Sequence, residues 1–168
     1  MKINTLVFAL LSILFCATSC QNKVTERISK QGALQFETVA KEYHGGYGQR
    51  NDLVIKDDVA WKDLWNKTYS HIIPMPNLPQ VDFRKEMIIA VYMGARNSGG
   101  FSIDIASIQD LGSSIEVSVK EIVPFSGQGI VTMALTQPYH IVKVPKQDKK
   151  VVFRRAHSGE FAKLLNAE

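Results

Sequence analysis

Apolar and polar positions alternate with period two through much of this chain, and the departures from that alternation are as informative as the rule. Ile115, Val117 and Val119 face one way while Glu116, Ser118 and Lys120 face the other, the signature of a half-buried strand. Phe101, Ile103 and Ile105 alternate in the same way with Ser102 and Asp104. Ile88 to Met93 is instead an unbroken apolar run, as expected of a strand buried on both faces. Leu34 to Tyr43, Leu53 to Ile55, Ile130 to Leu135, Tyr139 to Val144 and Val151 to Phe153 are further short runs rich in β-formers. Turn residues separate them: His44 to Gly48, Leu111 to Ser114, Pro124 to Gly129, Gln137-Pro138 and Lys146 to Lys149. This pairs Leu34–Tyr43 with Leu53–Ile55 as a hairpin with a long glycine-containing tip. It also makes Ile88 to Ile105 a strand, a polar turn over Gly94–Gly100, and a returning strand.

One stretch has helical spacing. Trp61, Leu64, Trp65 and Thr68 fall on one face of a helix over Asp57–Tyr69, with Asp57 and Asp58 placed to cap its first amides. The stripe is expected to plug the helix onto a sheet. Ile72 to Pro79 holds Pro74, Pro76 and Pro79 and is expected as a covering loop. The fold class that follows is mainly β: an antiparallel β-sandwich or barrel-like domain with one early amphipathic helix.

The N-terminus breaks this pattern. Lys2, an apolar run from Leu6 to Phe15 and the small residues before Cys20 form a secretory leader, and Ala17-Thr18-Ser19-Cys20 resembles a bacterial lipobox. The expected organisation is a signal peptide over 1–19, lipidation at Cys20, a tether over 20–32, a β domain over 33–156, and a tail over 157–168 whose Ser158–Leu165 part suits a helical turn. Gln21 after the lipidated cysteine permits an outer-membrane destination, on the periplasmic face or the surface. With Cys16 removed and Cys20 lipidated, the domain holds no disulfide and no thiolate ligand or nucleophile. Loss of Lys2 lowers the formal charge from +4 to +3, too little to argue for nucleic acid. The one basic concentration, Lys143, Lys146, Lys149, Lys150, Arg154 and Arg155, is expected as a solvated edge.

Catalytic patterns are not legible. His44, His71, His140 and His157 have no metal-ligand spacing, and no cofactor motif is present. His140 beside Tyr139 in a strand is expected to be structural. Ser98 lacks the strand-turn-helix setting of a nucleophile elbow. Recognition remains: Arg96-Asn97-Ser98-Gly99-Gly100-Phe101 offers a guanidinium, an amide, a hydroxyl and exposed backbone for a protein partner. An ordinary glycine bend is the competing account of the same residues.

Several motifs in order resemble the PrcB family of protease-complex subunits. They are the helix segment around Val59-Ala60-Trp61-Lys62-Asp63-Leu64-Trp65, then Val81-Asp82-Phe83 with Lys85 to Val91, Gly94 with Arg96 to Ile103, Ile122-Val123-Pro124, and Thr136 to Pro145. The family's loop has the form Gly-x-(x)-Pro-Thr-Gly-Gly-Tyr; Asn97-Ser98 stands here for Pro-Thr and Phe101 for Tyr, which removes a phenol hydroxyl. The resemblance implies a non-enzymatic accessory or adaptor lipoprotein that binds a protein partner, a protease assembly in the namesake. The loop is also similar to the inhibitory loop of chagasin-type protease inhibitors, so inhibition through Arg96–Phe101 is an alternative. A small-ligand or glycan site on Trp61, Trp65 or the His44 loop is another.

Overall fold

The computed structural model describes residues 32–124 and 133–157. The expected leader, Cys20, the expected tether as far as Gln31 and the expected tail from Ser158 lie outside the described residues. The elements are β1 (Gly32–Ala33), β2 (Glu37–Glu42), β3 (Asn51–Ile55), α1 (Asp58–Thr68), β4 (Glu86–Tyr92), β5 (Ser102–Asp110), β6 (Ser114–Ile122), β7 (Tyr139–Pro145) and β8 (Lys150–His157). They form two four-stranded sheets, ordered β1-β5-β6-β8 and β2-β7-β4-β3. The helix is not long and apolar enough to cross a membrane.

β4 explains the layering. Met87, Ile89 and Val91 enter the core between the sheets, where they meet Ile103, Ile105, Ile108, Ile115, Val117, Val119, Val142 and Val144. Ile88, Ala90 and Tyr92 point to the opposite face, where Trp61, Leu64, Trp65, Tyr69 and Phe83 cover them. Every position from Met87 to Tyr92 is therefore apolar because each face has its own core, one against the second sheet and one against α1. The mainly-β sandwich with one helix is as the sequence pattern indicates.

α1 starts where its cap requires. Asp57 is extended, and its Oδ1 accepts from the amide of Ala60 at 2.9 Å. The predicted face, Trp61, Leu64, Trp65 and Thr68, is the buried one. Both indole N–H groups are used: Trp61 donates to the carbonyl of Pro79 at 2.9 Å and Trp65 to that of Pro76 at 3.0 Å. The proline-rich segment is thus strapped along the helix, as its covering role demands.

Strand partners differ from expectation in three places. β2 pairs with β7 and β3 with β4, so these two strands lie at opposite edges of one sheet and form no hairpin. β4 and β5 belong to different sheets, so Gly94–Phe101 is a crossover and not a hairpin turn. Both edges of β4 are already taken, by β3 and β7, which sends the following strand across the sandwich. β8 runs parallel to β6, where an antiparallel neighbour was expected. Of the run expected as a strand over Ile130–Leu135, residues 133–135 have no strand structure, and 130–132 lie outside the described residues.

Candidate partner-binding surface

Three connections meet at one end of the sandwich: residues 43–50, 93–101 and 133–138. The last is the centre to which the other two are fastened. On one side Gln137 donates its amide to the Tyr43 carbonyl at 2.6 Å and accepts from Gly45 at 3.0 Å, and its side-chain oxygen accepts from Gly46 at 3.1 Å. On the other, Arg96 and Thr136 exchange both backbone bonds, at 2.7 and 2.9 Å, and the Thr136 hydroxyl donates to the Ser98 carbonyl at 3.0 Å. Ala95 closes the ring by donating to the Gly48 carbonyl at 2.9 Å. Two glycines make the approach close enough. Gly94, at φ 80°, packs against the backbone of Gln49 and Arg50, and Gly46, at φ 66°, packs on the carbonyl of Lys67 at the end of α1.

The expected contact residues Arg96, Asn97, Ser98, Gly99, Gly100 and Phe101 therefore sit on a clamped crossover. Asn97 and Gly100 are exposed; Arg96, Ser98, Gly99 and Phe101 are half-buried. The Arg96 guanidinium lies 5.7 Å from the centre of the Phe101 ring and donates to the Ala95 carbonyl at 3.1 Å, so part of its role is to hold the turn.

Sequence reasoning missed the apolar residues beside this turn. Met133 is 97% exposed and Leu135 62%, and Ile122 and Val123 are also exposed. The Arg96–Thr136 bridge sets Leu135 next to Asn97, and the Ser102–Ile122 register sets Val123 next to Phe101. Hydrophobicity alone reads Ile130–Leu135 as a strand, and the exposure of residues 133–135 is the opposite of what a buried strand implies. Apolar side chains flanking a rigid polar turn have the composition of a protein-binding surface.

The two tryptophans expected as an alternative site have a structural role. Trp61 and Trp65 are buried in the core under α1, with their N–H groups occupied, which removes the aromatic ligand platform. His44 and His71 are exposed, with ring centres 6.3 Å apart. Among the described residues no three His, Cys, Asp or Glu side chains are grouped to hold a metal ion. The basic concentration is largely neutralised within the fold. Lys143 pairs with Glu37 and Glu86, Lys149 with Asp110, Arg154 with Glu116, and Arg155 with Glu121 and Asp52.

Those last contacts include a cluster that the sequence pattern also hid. Glu121 continues the inward row Ile115, Val117, Val119 and is 1% exposed. Arg50 meets it at 2.7 Å and Arg155 at 3.1 Å, while Arg155 also bonds Asp52. A carboxylate at an inward position of an alternating strand is the signal that could have found it.

Residues 87–145 match the PrcB C-terminal family. The matched PrcB segment starts in β4 and ends with β7, so it holds the crossover Gly94–Phe101 and Thr136, which clamps it. α1, β1 to β3 and β8 lie outside the PrcB match. Neither a curated protein nor a solved structure matches the chain.

Proposed function

We propose that this chain is a non-enzymatic accessory subunit of an exported protease complex, held at the bacterial envelope through lipidated Cys20. It docks its partner on the end of the sandwich formed by Arg96–Phe101, Ile122, Val123, Met133 and Leu135. The observation that carries this reading is the exposure of Met133 and Leu135 beside a turn fixed by the Arg96–Thr136 bridge. A preformed apolar patch with polar donors at its rim binds without a large ordering cost. The PrcB match over residues 87–145 supports a protease complex as the class of partner. The lipobox and Gln21 favour the outer membrane, on either face.

The alternative of a protease inhibitor that inserts Arg96–Phe101 into a cleft is less well supported. Four of those six residues are half-buried, and Thr136 clamps the turn, which suits a docking face better than a wedge. Crosslinking with mass spectrometry in the native host tests the main reading. It should recover a protease-complex component joined near residues 96–101 or 133–135, and the double substitution Met133→Asp, Leu135→Asp should abolish the crosslink. Recovery of no partner, or of one that survives the double substitution, sinks the proposal. Near-stoichiometric inhibition of a purified protease by the chain alone would favour the inhibitor.

A further inference from the structure

His140 lies at the seam between the two sheets, in β7, with β2 on one side and β5 facing it. Three groups surround its imidazole. Nε2 is 2.9 Å from the Thr38 hydroxyl of β2. Nδ1 is 2.9 Å from the amide nitrogen of Ile105 and 2.8 Å from Oδ1 of Asp104, both in β5. The last two partners make incompatible demands on one atom. The Ile105 N–H needs a lone pair on Nδ1, whereas the carboxylate needs a proton there. Neutral His140 keeps its proton on Nε2, donates it to Thr38 and accepts from Ile105. Protonated His140 donates from Nδ1 to Asp104 and can no longer accept.

The Ile105 amide matters because of where it is. β1 pairs with β5 at Gln109 and Asp110, and Leu34 beyond it still bonds the Ile108 carbonyl, but among the described residues no strand pairs with this edge at Ile105, where a histidine side chain takes a strand's place. Asp104 and Ile105 follow closely on Ser102 and Phe101, where the crossover Gly94–Phe101 enters β5. We infer that His140 is an acid-sensitive latch: protonation transfers Nδ1 from the Ile105 amide to Asp104, frees the edge of β5, and loosens the anchoring of the Arg96–Phe101 turn.

The groups around the latch define its setting. Lys41 of β2 stands opposite His140 in register and pairs with Asp104 at 2.9 Å, so the carboxylate is shared between a permanent cation and a conditional one. From β4 the opposing residue is Val91, which is apolar. Burial is the largest influence on the imidazole and holds its pKa below the usual histidine value; Asp104 works in the opposite direction, and Lys41 adds to the lowering. The latch is therefore closed at neutral pH and opens in acid below the usual histidine value.

That the loosened turn is the docking face rests on the function proposed above; the latch itself does not. Nuclear magnetic resonance of the full chain, without any partner, tests it between about pH 7.5 and pH 4.5, a window spanning an ordinary histidine. Through the His140 titration, the protection of the Ile105 amide against exchange should fall about tenfold or more, while that of Ile89 and Val142 in the core holds. The amide resonances of Gly99 and Gly100 should move with the same midpoint. Asp104→Asn should shift that midpoint to lower pH, because the charged imidazole loses its acceptor, and His140→Gln should remove the step. An Ile105 amide that stays protected while His140 titrates, glycine resonances that do not follow, an unmoved midpoint in Asp104→Asn, or global unfolding before the titration would each overturn the latch. Failure to find a protein partner would leave these readings unchanged.

Discussion

A methyl group at position 46 would stand 2.1 Å from the carbonyl oxygen of Lys67, on a backbone whose φ of 66° already disfavours any side chain. The obstacle is main chain at the end of a helix, which cannot move aside as a flexible side chain would. Gly46→Ala should therefore cost roughly 2–4 kcal/mol, read as a lowered denaturant midpoint. Gly48, where an added methyl group meets nothing within 4 Å, is the matched control and should tolerate alanine. His140 gives a second prediction at this scale. Its folded pKa is depressed from 6.5, so below that value the unfolded chain takes up the proton first. The stability that His140 contributes is complete above about pH 6.5 and is lost progressively as pH falls toward the folded value. Denaturation measured across this range should slope downward into acid in the native chain and run flatter in His140→Gln.

α1 shows both what a sequence pattern reveals and where it stops. The cap at Asp57 and the spacing of Trp61, Leu64, Trp65 and Thr68 were legible because a helix satisfies its backbone locally, and its buried face follows from arithmetic along the chain. Strands have no such local rule for partners. Ile88–Met93 announced burial on both faces, but nothing in that run says that β3 and β7 flank it or that the chain next crosses to the other sheet. The Arg96–Phe101 turn was legible as a shaped loop, whereas its apolar neighbours were not. Met133 and Leu135 are brought there by Thr136, a contact distant in sequence from Arg96, and their hydrophobicity argued for burial. The helix also fastens an element that the pattern could only describe as a cover. Trp65→Phe keeps an aromatic ring against Tyr69 but removes the N–H donated to Pro76. It should cost about 1–2 kcal/mol, one half-buried hydrogen bond and some packing. Hydrogen exchange or limited proteolysis should show the opening confined to residues 72–79.

At the scale of the molecule, a two-sheet sandwich must be closed along both sides, and this one uses different chemistry on each. On the side of β2 and β5 the seam is the Lys41–Asp104–His140 group, which responds to acid. On the other side β3 and β8 are the edge strands, and they are joined by ion pairs. Asp52 of β3 bonds Arg155 of β8; Arg155 and Arg50 both bond Glu121 of β6. Arg50 is also the residue whose backbone Gly94 packs against, so this cluster borders the docking end. Two guanidinium groups around one buried carboxylate are tolerable only while that carboxylate is present, since a buried charge without its partner is costly. Glu121→Ala should thus destabilise by roughly 2–3 kcal/mol, below the full range for a stranded buried charge because Arg155 keeps Asp52 and Arg50 reaches solvent. Arg50→Ala should cost clearly less, because the Arg50 side chain is 40% exposed and Arg155 still meets the carboxylate. Urea denaturation of both variants checks the order, and equal losses would mean that the sheets are held together here by packing and not by the shared carboxylate.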